Sequence, residues 1–299
     1  MGLRLARAEP WKTSILVTFV LLIFMCARTF AFSGDDCDWI GSGLREDASR
    51  EVQPIYLRCA HGYVEWNYPR GALRVVLRHG TSGREFRGCL RTDKHFSGAQ
   101  IYVEGHRKLH LTYSKTDGKH PDLLRCFTSF HGQVALYVEA EPVNNTLQKE
   151  VASFRYDLQP ASTEALLNDL DECRPCTEEE MLRYYCTSSF VIQGTISGLQ
   201  NQDALLLSEL TIQVAKVYRD CESPVVSTTN DVNTETTEKR EAVLYRPMKC
   251  GTKHGIGDFI FMGRRMLGNP ILHCAPKLPE WQKVRRKALL EGTNQCQLD

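Results

Sequence analysis

The sequence lacks a dominant charge, a second long apolar run, and the short motifs that mark a nucleophilic or metal-dependent hydrolase. Its 37 Lys and Arg are matched by 36 Asp and Glu, so no global field draws the chain to nucleic acid or an anionic membrane. A polyanion would have to be met by a local patch. With 42% hydrophobic and 24% charged residues, the chain does not have the profile of a disordered polymer. Its composition also excludes collagen and a coiled coil. Beyond the first thirty residues no stretch is apolar enough to span a bilayer, which excludes a polytopic membrane protein. The nine histidines form no H-E-x-x-H, and no G-x-S-x-G provides a nucleophile elbow. What the sequence has in quantity is cysteine. Twelve in 299 residues is a count typical of chains that cross the oxidising secretory route and use disulfides as staples.

The amino-terminal segment gives the same direction. Arg4, Arg7 and Lys12 precede an uncharged run from Ser14 to about Ala27, and Thr29-Phe30-Ala31 offers small residues at the −3 and −1 positions of a cleavage site. A signal anchor is the competing reading. Roughly fourteen helical residues at about 1.5 Å each reach about 21 Å, short of a hydrocarbon core about 30 Å thick. Residues 1–31 are therefore expected to be a cleaved signal peptide, leaving a secreted product with no membrane insertion. Its removal takes four basic residues and one acidic residue from the 37 and 36, which leaves 33 against 35 and a charge of −2. It also removes Cys26, and the eleven cysteines left are an odd number, so one must stay free, pair between chains or be capped.

From Cys37 to Leu158 the pattern is of short strands broken by Gly and Pro: Tyr63–Trp66, Ala72–Leu77, Ala99–Glu104, Lys108–Tyr113, Val134–Glu139 and Ser153–Tyr156. This predicts an all-β sandwich over residues 32–158, with four cysteines enough for two disulfides. Residues 159–172 are polar and acidic and are expected to be a linker. A second module, 173–299, opens with Cys173-Arg-Pro-Cys176 and a short acidic, helix-compatible stretch from Thr177 to Leu182. Strand-like segments follow at Phe190–Ile196, Leu210–Tyr218 and Asp258–Met262. Between the last two, residues 222–241 are rich in Ser, Thr, Asn and Glu and are expected to form a mobile loop. The chain closes with Pro279–Gly292, where Trp281, Val284 and Ala288 share one helical face and Gly292 suits a C-terminal cap. A five-strand barrel with a terminal helix fits this half.

Several constellations have a functional and a plain reading. Cys173-Arg-Pro-Cys176 has redox spacing, but the thioredoxin-type reading needs a βαβ context that is absent here. Zinc would need that pair with Cys186, His254 or His273, yet closed structural sites want four ligands at recurrent close spacing. Asp35-Asp36 and Asp169, Asp171 and Glu172 are acidic clusters that suit calcium or a solvated surface. No cofactor, metal site or catalytic residue is expected, and the chain is read as a non-enzyme. Asn144-Asn145-Thr146 is an N-glycosylation sequon, with Asn144 as acceptor in a polar turn. Lys277, Lys283, Arg285, Arg286 and Lys287 make a dense positive patch on the terminal helix, a candidate heparan sulfate site or a solvated face. Trp39, Trp66 and Trp281 are read as core residues rather than receptor anchors.

Several longer blocks carry a family resemblance. Cys37-Asp-Trp39-Ile-Gly41-Ser-Gly43-Leu44, Tyr56-Leu-Arg-Cys59-Ala60, Val64-Glu65-Trp66 with Tyr68-Pro69 and Gly71-Ala72-Leu73, Cys173-Arg-Pro-Cys176, Cys186-Thr-Ser188, Gly257-Asp-Phe-Ile-Phe261-Met-Gly263 and Cys274-Ala-Pro276 resemble the meteorin family along almost the whole mature chain. That resemblance implies a secreted neurotrophic, cytokine-like or hormone-like factor acting on glia, neurons, immune cells and metabolic tissue through a cell-surface receptor. An extracellular matrix-binding or protease-inhibitor-like module is the alternative. Gly62-Tyr-Val-Glu-Trp-Asn67-Tyr68-Pro69 resembles the early strand motif of CUB domains, which places Cys37 with Cys59 and Cys89 with Cys126.

Residues 173–296 resemble the netrin-like module shared with the tissue inhibitors of metalloproteases, an OB-type barrel. By that resemblance Cys173 pairs with Cys250, Cys176 with Cys274 and Cys186 with Cys296; spacing alone leaves fifteen pairings open. Cys221 falls outside this frame and is the expected odd thiol, exposed, and either capped or joined in a disulfide-linked homodimer. Those inhibitors chelate a protease's zinc with the amino group of an N-terminal cysteine. Cys173 lies inside this chain, so that route requires a cut immediately before it.

Overall fold

The protein's computed structural model describes residues 37–44, 52–142, 149–160, 173–221, 224–229 and 239–298. Residues 1–31, the linker residues 161–172, Asn144 and the acidic clusters at Asp35-Asp36 and Asp169 to Glu172 lie outside the described residues.

The first half is built from ten strands: β1 (Trp39–Ser42), β2 (Val52–Leu57), β3 (His61–Asn67), β4 (Ala72–Arg78), β5 (Phe86–Thr92), β6 (Ala99–Glu104), β7 (Leu109–Tyr113), β8 (Arg125–Thr128), β9 (Gln133–Ala140) and β10 (Val151–Pro160). They form two sheets of five strands, ordered β1-β3-β10-β5-β8 and β2-β4-β9-β6-β7. Strand side chains alternate between faces, so each strand gives every second residue to the interior. Leu73, Val75 and Leu77 of β4 and Val134, Leu136 and Val138 of β9 point one way; Val64 and Trp66 of β3 and Phe154, Tyr156 and Leu158 of β10 meet them from the other sheet in one buried core. The other face of β4 holds Arg74, Val76 and Arg78.

The expected strands are present, but β1, β2, β5 and β8 are additional. β5 reads Phe-Arg-Gly-Cys-Leu-Arg-Thr and β8 Arg-Cys-Phe-Thr, and their charge and glycine hide a strand whose pairing partners lie far along the chain. The linker also begins later than expected. Gln159 and Pro160 belong to β10 because they pair with Arg87 and Phe86 of β5.

The second half contains β11 (Phe190–Gln202), β12 (Leu207–Asp220), β13 (Val226–Thr229), β14 (Lys239–Pro247), β15 (Phe259–Met266) and β16 (Asn269–Cys274), with helices α1 (Glu178–Thr187) and α2 (Leu278–Glu291). The strand order is β12-β11-β15-β16-β14-β13, and β14 also pairs with β12, so five strands close into a ring with β13 outside it. The expected mobile loop 222–241 is therefore partly strand. Val226–Thr229 pairs with Lys239–Ala242, where β-branched Val and Thr suit an edge; residues 230–238 lie outside the described residues.

Trp281, Val284 and Ala288 turn one face of α2 onto α1, where Tyr185 stacks on Trp281 with ring centroids 4.6 Å apart. Five disulfides hold the halves: Cys37–Cys59, Cys89–Cys126, Cys173–Cys250, Cys176–Cys274 and Cys186–Cys296. The last three tie α1 and its approach to the ring and to the carboxy-terminal tail. Cys221 is free and exposed.

Candidate functional site

The outward face of the β2-β4-β9-β6-β7 sheet does not end in flat solvent. Tyr56, Arg74, Val76, Arg78, Glu104 and Ala135 form one side of a groove of about 1290 Å³, and the segment from Leu123 to Phe130, including β8, forms another. The β6–β7 turn adds His106, and β7 adds His110 and Leu111. Leu206, from the connection between β11 and β12, adds a side chain from the second half. Val76 and Ala135 are buried within it, whereas Tyr56, Leu111, Phe130 and Leu206 stay 55%, 53%, 72% and 56% exposed.

The polar side chains of the groove are held in place by neighbours. Arg74 donates from Nε and Nη2 to the two Glu104 carboxylate oxygens at 2.6 and 2.7 Å, a bidentate pair across the sheet. Arg78 donates twice to the neutral Gln133 Oε1, at 3.2 and 2.7 Å. Arg125 is buried in the wall. It donates to the carbonyls of His120 and Leu123 and, at 3.1 Å, to Asp117, with its guanidinium 5.3 Å from the Tyr113 ring centroid. Burial raises the Asp117 pKa, but the Lys119 backbone N–H and the Arg125 guanidinium together hold it below the ordinary carboxylate range. Arg125 thus anchors the loop that walls the groove.

The five residues of the expected basic patch have different surroundings. Lys277 precedes α2, and Lys283 and Arg286 are exposed along it. Arg285 instead turns to the tail, donating to the Leu298 carbonyl at 3.2 and 3.0 Å. Lys287 is 2.8 Å from Glu178 of α1. Trp66 and Trp281 are core residues, and Trp39 packs on the core partly buried. His254 and His273 do not join Cys176 and Cys186 as ligands, because both thiols are in disulfides. Among the described residues no group of three or more His, Cys, Asp or Glu is placed to hold a metal ion, and no helix is long and apolar enough to cross a membrane.

The groove residues were not visible as a set beforehand. They come from β2, β4, β6, β7, β8, β9 and the β11–β12 turn, and Leu109 and Leu111 of β7, which a strand pattern would turn inward, stand exposed.

Two family models match the chain, Meteorin-like protein N-terminal domain over residues 39–168 and Meteorin, C-terminal domain over residues 175–288. Meteorin-like protein of Xenopus laevis is 32% identical over 293 residues, covering 96% of this chain and 98% of that protein. Meteorin-like protein of Homo sapiens is 35% identical over 271 residues, covering 89% and 84%. Meteorin of Mus musculus is 33% identical over 302 residues, covering 95% and 99%. Among solved structures, the CUB1-EGF-CUB2 domains of rat MASP-1 align with 42% of this chain and 49% of that one, at 13% identity and a TM-score of 0.28. Identities this close do not separate meteorin-like protein from meteorin. With both halves matched in tandem and relatives aligned over nearly their full length, the chain belongs to the meteorin family.

Proposed function

We propose that this protein is a secreted signalling factor that binds a cell-surface receptor and promotes glial or neuronal differentiation, axonal network formation, or responses in metabolic and immune tissue. The observation that carries the reading is family membership over the whole length of a chain with ten bridged cysteines. Disulfides in this number suit an oxidising, extracellular setting. A stapled β scaffold with a preformed groove loses little freedom on association, so its chemistry is recognition rather than catalysis. The first module is read as CUB-like and the second as netrin-like. Asn144 is read as glycosylated. The test is a screen of the labelled, disulfide-bonded protein against cell-surface ectodomains, with saturable binding to at least one expected and the absence of any saturable partner contradicting the reading.

The exposed Lys277, Lys283 and Arg286 favour a second, auxiliary role, in which heparan sulfate concentrates the factor at cell surfaces. Retention on heparin at physiological salt supports it, and flow-through removes it. Protease inhibition fits less well, because the Cys173 nitrogen lies within the chain; inhibition of a metalloprotease panel by the intact protein would restore that reading. Cys221 is read as capped or as the link of a homodimer, and a non-reduced monomer with one alkylatable thiol would contradict both.

A further inference from the structure

We infer that the groove takes an acidic peptide segment carrying large apolar side chains, presented by the protein's binding partner. The partner's origin rests on the function proposed above; the chemistry of the occupant rests on the groove alone. Tyr56, Leu111, Phe130 and Leu206 leave four large apolar side chains half or more in water around one concavity, beyond the scattered single residues of an ordinary surface. Covering them releases about 25 cal/mol for each Å² of apolar surface removed from water, which favours an occupant with apolar side chains of its own.

Charge selects the rest. Glu104 is the one carboxylate in the lining and is already held by Arg74, while Arg78 bonds a neutral amide and Lys119 adds a second cation to the lining. The groove therefore offers cationic groups to whatever enters, and an anionic partner gains from them in both steering and affinity. A sulfated glycan would satisfy the charges and leave the four apolar side chains in water, so a peptide fits better.

Leu206 supplies a clean handle. It sits at φ 54°, a left-handed conformation that a branched side chain adopts only at a cost, yet it presents its side chain to the groove from the second half. Leu206→Gly removes the apolar contact and relieves the backbone at once, so it separates binding from folding.

The test uses the full disulfide-bonded protein and a labelled peptide alternating Glu with Leu or Phe, read by fluorescence anisotropy. Two control peptides replace the Glu by Lys, or the Leu and Phe by Ser. The acidic apolar peptide is expected to bind at least about tenfold more tightly than either control, about 1.4 kcal/mol. Leu206→Gly and Arg78→Glu are each expected to weaken it by a similar factor, with a melting temperature unchanged for Arg78→Glu and equal or higher for Leu206→Gly. Equal binding of either control, or unchanged binding by both variants, overturns the inference. Equal binding of the Ser peptide together with displacement by a heparin fragment reassigns the groove to polyanions. Saturable binding of the parent protein to intact cells is measured alongside. Its persistence when the peptide arm fails discards the groove and keeps the function, and its absence when the peptide arm succeeds does the reverse.

Discussion

Gly62 shows how closely single atoms are fitted in the first half. A Cβ there would lie 1.9 Å from the Cys37 carbonyl oxygen and 2.6 Å from the Tyr156 hydroxyl, and that hydroxyl donates to the same carbonyl at 2.8 Å. Gly62→Ala is expected to push β1 from β3, strain the Cys37–Cys59 bridge and cost about 1–3 kcal/mol, read as a lower denaturation midpoint with an unchanged slope. A change below about 0.5 kcal/mol would mean that the strands separate freely. Glu180 gives the corresponding case for charge. The Arg174 guanidinium, bonded at 2.7 Å through both carboxylate oxygens, and the Thr177 backbone N–H hold its pKa down at about 2.

A carboxylate depressed in the folded state adds stability that is complete above its unfolded value, near 4.5, and is lost as pH falls toward 2. Glu180→Gln is therefore expected to lower the melting temperature at pH 7, with the gap to the parent closing between pH 4.5 and 2. A gap independent of pH would contradict the assignment. The stretch from Thr177 to Leu182 was legible as helix-compatible from local residues, and the structure adds the reciprocal capping of Thr177 and Glu180 that starts the helix. The role of Gly62 was not legible, because its neighbours Cys37 and Tyr156 are 25 and 94 positions away and the sequence gives no sign that they converge.

The carboxy-terminal helix separates what periodicity can and cannot say. Trp281, Val284 and Ala288 recur at helical spacing and are all buried, and Gly292 caps the helix at φ 66°. The same periodicity could not show that Arg285 turns to the Leu298 carbonyl or that Lys287 meets Glu178, since both partners depend on how the tail and α1 dock. The five basic residues thus divide by placement. Lys283→Ala with Arg286→Ala is expected to advance elution from heparin without changing thermal stability, whereas Arg285→Ala is expected to lower stability by about 1 kcal/mol through the lost hydrogen bonds to the tail, with elution little changed. Reversal of that division would show that the tail contact is incidental. Strands gave a similar split. β6 alternates visibly and β4 and β9 are dense in apolar and β-branched residues, while β5 and β8 became strands because β10 and each other supply their ladder, a long-range pairing that local propensity does not encode.

Among the described residues an ion pair joins the two halves. Arg264 of β15 binds the Asp157 carboxylate of β10, and the Gln159 amide oxygen, with its amide turned to suit, accepts from Arg264 Nε and Nη2 at 3.0 and 2.7 Å. Burial pushes the Asp157 carboxyl above its ordinary range despite Arg264 beside it. Its raised folded value means that protonation relieves the molecule, so the burial penalty grows as pH rises from the ordinary carboxylate value toward the raised one and is complete above it. Arg264 is the more exposed partner and can rehydrate alone, whereas Asp157 cannot. Arg264→Ala is accordingly expected to destabilise by about 3 kcal/mol and to broaden the distance distribution between the halves in small-angle scattering, with Asp157→Asn costing less. Equal costs would place the penalty elsewhere. Two β-rich halves were legible from strand-like segments and the bunching of cysteines at Cys173, but the clasp was not, since Asp157 and Arg264 are ordinary charged residues until the sheets bring them together.

The account as a whole depends on disulfide-held surfaces recognising a partner outside the cell. Binding of the labelled protein to intact cells, compared before and after reduction and alkylation, tests this most directly. Saturable binding by the bridged protein and its loss from the alkylated one is the predicted result; binding that never saturates, or that survives alkylation undiminished, would contradict it.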